Sequence, residues 1–175
     1  MNWNKSKTLI FLFILICSGY CHGQNKATIN IDSVKLNGYK ITLSDITTFL
    51  DNQNANQLNF KEYIEEFPTS SGDKLNYYFD EHIKFTIVFF GEKSSLQSIT
   101  LFSNEPTLQV NDVKLSVGLS KEKFNAFFPE IVNGHESPYS GIISFNLDLN
   151  YDYYGNLAFE FKNDRLERIF LRFIE

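Results

Sequence analysis

From Phe145 to Tyr154 the chain alternates without a break: Phe145, Leu147, Leu149, Tyr151 and Tyr153 are interleaved with Asn146, Asp148, Asn150, Asp152 and Tyr154. Successive side chains of a β-strand leave opposite faces, whereas those of a helix return to one face every three or four residues, so this run reads as a strand with one dry and one wet side. The same period recurs elsewhere. Ile83, Phe85, Ile87 and Phe89 share one side of a segment, Ile99 and Leu101 one side of the next, Leu157, Phe159 and Phe161 continue beyond Tyr154, and Leu166, Ile169, Leu171 and Phe173 belong to the last strand. Gly91 to Ser95 and Asn163-Asp164 are the turns that separate these strands. Upstream, Ala27 to Ile41 alternates around Asn37-Gly38, a two-residue hairpin signal, and residues 107–115, "TLQVNDVKL", alternate again.

Half-buried strands need a cover, and the sequence predicts helices for it. Ser44 offers a hydroxyl to cap a helix whose apolar face is Ile46, Phe49 and Leu50, with residues 51–59 as a polar loop, at most one further helical turn preceding it. Ser120 does the same for Phe124, Phe127 and Phe128, with Pro129 as the stop. In Phe60 to Phe67, "FKEYIEEF", Phe60, Tyr63, Ile64 and Phe67 fall at helical spacing and Pro68 follows, which predicts a third, short helix; a strand is the alternative, because eight residues are few for a helix.

The two halves can be laid on each other. Leu96, Ile99 and Leu101 match Leu166, Ile169 and Leu171, and Phe79, Ile83 and Phe85 match Tyr153, Leu157 and Phe159. The expected fold is therefore α+β: two tandem helix-plus-antiparallel-sheet units, 24–105 and 106–175, sharing a core. "VGLSKEKFNAFFP" at 117–129, with "YDYYGNLAFEFKNDRLERI" following, resembles the helix-plus-sheet repeat of the β-lactamase-inhibitor-protein-like and SmpA/OmlA-type envelope modules, most closely over 107–173. That resemblance implies a non-catalytic unit that presents a sheet face or loops to another protein.

The first residues bear on location. Lys5 and Lys7 precede the apolar run Thr8 to Ile16, and Cys21-His22-Gly23 places small residues ahead of Gln24, the layout of a secretory signal peptide cleaved after Gly23. Residues 1–23 are thus expected to be removed and the rest to be periplasmic or extracellular. The apolar run is too short to span a bilayer, and neither Cys17 nor Cys21 follows a small residue, which argues against a lipid anchor. Both cysteines lie in this leader, so the remainder has no disulfide or thiol chemistry. Loss of Lys5 and Lys7 takes the net charge from −5 to −7, which argues against nucleic acid as a partner.

The candidate sites are few. Asp148, Asn150 and Asp152 alternate as the first ligands of a calcium loop do, but Tyr153 and Phe159 occupy the positions where that loop needs Gly and Glu, so these residues read as the wet face of a strand and no metal or cofactor is expected. His82 reads as a solvated turn residue and His135, in "NGHESPYSG", as a loop residue; a small hydrolase would place its site near one of them. Glu62, Glu65 and Glu66 read as the polar side of the short helix and not as a catalytic carboxylate pair. All three arginines, Arg165, Arg168 and Arg172, fall near the chain's end, and if Ile169, Leu171 and Phe173 face the core, Arg168, Phe170 and Arg172 line the open face. Arginine and aromatic residues are favoured at interface centres; the plain alternative is cross-strand pairing with Glu160 or Asp152. The expectation is an exported, non-catalytic protein-binding or scaffolding module, with an inhibitor or immunity-type protein and a small hydrolase as alternatives.

Overall fold

The computed structural model describes residues 28–43, 46–54, 61–66, 74–90, 93–129, 141–149 and 154–174. The expected leader, Ser44, His135, and the stretch containing Asn150 to Tyr153 lie outside them. Within them the chain forms β1 (Thr28–Asn30), β2 (Val34–Leu36), β3 (Tyr39–Lys40), α1 (Ile46–Asn54), β4 (Lys61–Glu66), β5 (Lys74–Phe79), β6 (Ile83–Phe90), β7 (Lys93–Leu101), β8 (Leu108–Val110), β9 (Val113–Leu115), α2 (Lys121–Phe127), β10 (Ile142–Asp148), β11 (Tyr154–Lys162) and β12 (Arg165–Ile174).

These elements correct the expected fold class. Among the described residues the protein is mostly β, with two short helices, and is not assembled from helix-plus-sheet units. One sheet of eight strands runs β1-β10-β11-β12-β7-β6-β5-β4, and a second of four runs β3-β2-β8-β9. Every neighbouring pair is antiparallel except β1 with β10. The meanders β4–β7 and β10–β12 meet at the centre of the large sheet, where Ile169 lies opposite Leu101 and Leu171 opposite Ile99.

The sequence "FKEYIEEF" is strand β4 and not a helix. It is hydrogen-bonded along its length to β5, from Lys61 opposite Phe79 to Glu66 opposite Lys74, and a ladder of that length outweighs what an isolated turn or two of helix can supply. The segment before Asn37 is also not one strand. Asn30 accepts a hydrogen bond from the Asp32 amide at 2.8 Å and caps a 3-10 turn over Ile31–Ser33. That turn sends β1 into the large sheet and β2 into the small one.

The hairpin at Asn37-Gly38 forms as the sequence predicts, with φ of 50° and 87°. A second hairpin, β8–β9, turns at Asn111-Asp112, and Asn111 takes the same left-handed conformation, φ 53°. Asn37 also ties three elements together. Its backbone N–H donates to the Thr107 carbonyl at 2.9 Å, its Oδ1 accepts from the Thr107 N–H at 3.0 Å, and its Nδ2 donates to Gln53 Oε1 of α1 at 3.1 Å. Gln53 is fully buried and donates through Nε2 to the Leu36 carbonyl at 3.4 Å. Gln53→Leu removes both partners at once and is expected to cost about 1–3 kcal/mol, read as a lower urea midpoint with an unchanged slope.

The core lies between the large sheet and a layer made of the small sheet and the two helices. Ile83, Phe85, Ile99, Leu101, Phe145, Leu157, Phe159, Ile169 and Leu171 from the large sheet are buried in one cluster with Val34, Leu36, Leu108 and Val110 from the small one. Phe49 of α1 meets Phe85 edge-on with ring centroids 5.8 Å apart, and Phe124 of α2 meets Phe159 at 4.8 Å. Gly155 is where this packing allows no side chain: a Cβ there would stand 2.7 Å from the Leu147 Cβ. Ser120 caps α2, accepting from the Lys123 amide at 3.3 Å. Phe127, expected on the buried face of α2, is instead 47% exposed.

Candidate functional site

Because the core residues of the large sheet all leave from one side, their neighbours in sequence leave from the other, and strand register decides which of them stand together. One line crosses the sheet. Thr28, Asn146, Asn156 and Arg172 are successive partners on β1, β10, β11 and β12. The line continues from Arg172 to Ser98, Thr86 and Tyr77 on β7, β6 and β5, and its register reaches Tyr63 of β4. A second line runs beside it through Ser144, Ala158, Phe170, Thr100, Lys84 and Phe79. Val88, buried but outside the main cluster, bounds this face toward the far end of β6.

The sequence places Arg168, Phe170 and Arg172 on one side of β12, and the structure keeps them there, half-buried, half-buried and exposed respectively. They do not share one role. Arg168 Nη2 lies 2.7 Å from Glu160 Oε2 and 3.0 Å from Oε1, so the cross-strand pairing weighed above is present. That hydrogen bond to Glu160, opposed in part by desolvation, raises the Arg168 pKa still further above its ordinary value, which fixes a charged guanidinium 5.3 Å from the Phe170 ring. Arg172 has no hydrogen-bond or ion-pair partner among the described residues. Asn146, Asn156, Ser98 and Thr86 share that condition: their side chains bond to no described residue. Five adjacent strands thus present five polar side chains, in a line, that no described residue bonds. On the first meander the Lys84 ammonium sits 4.1 Å from the Tyr77 ring centroid.

Arg165, the remaining arginine, is not part of this face. Its Nη1 donates to the Gly118 carbonyl at 3.1 Å, and its backbone bridges Ser120, fastening the start of α2.

His82 is less solvated than the sequence predicts, with its side chain 23% exposed. Its Nδ1 is 2.7 Å from Ser103 Oγ, and its Nε2 is 3.3 Å from Glu105 and 3.5 Å from Glu81. A hydroxyl, an imidazole and a carboxylate in sequence are the parts of an acyl-transfer triad, but such a triad needs its acid to hold the ring in one orientation. Glu81 and Glu105 are 87% and 69% exposed and reach the ring from water. The contacts instead pin a turn: Asp80 Oδ1 accepts from the amides of His82 and Ile83 at 2.7 and 2.9 Å, and the Phe102 amide donates to the His82 carbonyl at 2.8 Å. Among the described residues no group of three or more His, Cys, Asp or Glu is arranged to hold a metal ion.

Glu62, Glu65 and Glu66 now stand on a strand, where Glu62 and Glu66 fall at one parity and Glu65 at the other. Of the calcium-like trio only Asp148 is described, at the end of β10 opposite Tyr154. No helix among the described residues is long and apolar enough to cross a membrane. Comparison of the chain with protein-family models, with curated proteins and with solved structures returns no match.

Proposed function

We propose that this protein is an exported, non-catalytic binding module that works by contact through the face of its large sheet opposite the core, with Arg168, Phe170 and Arg172 at the centre of the working surface. The observation that carries this reading is the unbroken run Asn146, Asn156, Arg172, Ser98 and Thr86, whose polar groups have no partner within the described fold. Folding alone does not call for it. A solvated sheet face usually carries interspersed charged pairs, as Arg168 and Glu160 do beside this line, and five successive positions across the strands without one are a surface left available. The leader-like start of the sequence supports export.

Two measurements test the reading. Mass spectrometry of the protein recovered from the producing cells is expected to find a chain beginning at Gln24. A variant with Arg168, Phe170 and Arg172 all replaced by Ser is expected to retain a cooperative melt while losing whatever the immobilised wild type captures from envelope extracts. Equal capture by both would overturn the open face as the working surface.

A further inference from the structure

We infer that the ligand of the open face is a linear, carboxylate-bearing polysaccharide lying across the strands along the line Asn146, Asn156, Arg172, Ser98, Thr86 and Tyr77. This rests on the reading of that face as the working surface and names what occupies it.

Three observations lead there. The first is the kind of hydrogen bonding on offer. Asn, Ser and Thr each donate and accept, which suits a polyhydroxyl chain whose every hydroxyl does the same, and four of them with Arg172 stand in succession without a partner among the described residues. Neighbouring strands are about 4.8 Å apart, close to the advance of a sugar chain per ring, so successive side chains along the line meet successive rings. Protein hot spots have a different composition: Ser and Thr are under-represented there and Trp, Tyr and Arg dominate.

The second is charge. On the two central lines the described charges are Arg172 and Lys84, with no carboxylate between them; of the carboxylates that flank these lines, Glu160 is held by Arg168, and Asp148 stands two residues beyond Asn146 on β10, two strands from Arg172. In a chain of net charge −5 this is a local cationic strip. A second copy of the same face, laid line on line, would bring the strip's like charges together. The overall negative charge also excludes a polymer as densely charged as nucleic acid. A polysaccharide with one carboxylate every ring or two is sparse enough to meet only the strip, since repulsion from the rest is screened beyond about 10 Å. Arg172 and Lys84 are two strands and one line apart, about 12 Å by standard sheet spacings, a separation that two carboxylates on such a chain can span.

The third is the rings. Tyr77 and Phe170 are half-buried on this face, Tyr77 on the line and Phe170 beside it, each with a cation near its ring. Planar aromatic surface is what the C–H faces of sugars stack on.

The experiment is titration of the full chain with polygalacturonate, with dextran as the neutral polysaccharide and polyglutamate as the acidic peptide, in the wild type, Arg172→Ala, Asn156→Ala and the off-line control Lys162→Ala. Polygalacturonate is expected to bind, to weaken as salt rises, and to lose at least tenfold in affinity in Arg172→Ala and severalfold in Asn156→Ala, with Lys162→Ala unchanged and all melting temperatures close to wild type. Equal binding of dextran, equal or tighter binding of polyglutamate, or indifference to Arg172→Ala would each overturn the proposal. If no polymer binds while the triple serine variant still loses its captured partner, the polysaccharide falls and the open face stands; if that variant loses nothing, both fall.

Discussion

Leu171→Asp is expected to abolish cooperative folding at neutral pH, whereas Arg172→Asp, one residue further along the same strand, is expected to melt within a few degrees of wild type. Leu171 is fully buried, between Ile99 of β7 and Leu157 of β11, at the seam where the two meanders join. A carboxylate there loses its water and finds no cation. Even after relaxation that costs several kcal/mol, on top of the cavity left by the leucine, about 2–5 kcal/mol. Together these rival the whole stability of a typical domain, about 5–15 kcal/mol. Arg172 points the other way, into solvent and free of partners among the described residues. Protonation removes the introduced charge, so the Leu171→Asp deficit relative to wild type should shrink on going from pH 8 to pH 4. Thermal and urea melts by circular dichroism decide it; equal stability of the two variants would show that β12 does not lie in this register.

That contrast rests on a period of two, the part of the fold most legible in the sequence. β6, β7, β10, β11 and β12 are seven to ten residues long and half-buried, so their inner stripes emerge from spacing alone, although the run that reads as one strand from Phe145 to Tyr154 is divided: β10 ends at Asp148 and Tyr154 lies opposite it on β11. Where spacing is ambiguous the reading failed. Phe60, Tyr63, Ile64 and Phe67 satisfy a helical period, and nothing local announces that Lys61–Glu66 pairs with β5. The small sheet is hidden for another reason: its strands, two or three residues long, alternate in the sequence, but nothing there shows that β2 pairs with β8, some seventy residues away, in a sheet of its own. Asn111-Asp112 also lacks the glycine that marks the equivalent turn at Asn37-Gly38, although Asn111 adopts the same positive φ. Without that sheet the cover over the large sheet reads as helix, and the sequence predicts α+β where the fold is mostly β.

The candidate face was half legible. Arg168, Phe170 and Arg172 could be placed on one side of β12 from alternation, but Ser98, Thr86, Asn156 and Asn146 look like ordinary strand polar residues until β12 is known to pair with β7 as well as β11. Residue identity carried no signal for them; only the register between residues some seventy positions apart brings them into line. For the same reason His82 reads as solvated in the sequence, yet its side chain is only 23% exposed. Its partner Ser103, at 2.7 Å, lies beyond the next two strands, β6 and β7, and sequence separation conceals that contact.

The helix over β10–β12 carries the other large effect. Phe124→Ala is expected to destabilise the protein by about 3–5 kcal/mol, and Phe127→Ala by about 0.5 kcal/mol or less. Both residues sit on α2, and helical spacing puts both on its apolar stripe. Phe124, however, is fully buried, with ring centroids 4.8 Å from Phe159, 5.2 Å from Phe161 and 5.0 Å from Phe128, while Phe127 remains 47% exposed. A seven-residue helix cannot persist on its own. It is held by the Ser120 cap at one end, by the Arg165 contact to Gly118 beside it, and by one aromatic anchor in the core. Losing the anchor empties the space among Phe128, Phe159 and Phe161, and the tertiary contact that makes the helix stable goes with it. Urea melts should therefore show a lower midpoint for Phe124→Ala, and hydrogen exchange should show the amides of Phe124 and Phe128, bonded to Ser120 and Phe124 carbonyls, exchanging faster than those of β11. If Phe127→Ala proves as costly as Phe124→Ala, the stripe and not the single anchor holds the helix, and α2 must sit rotated from the position described.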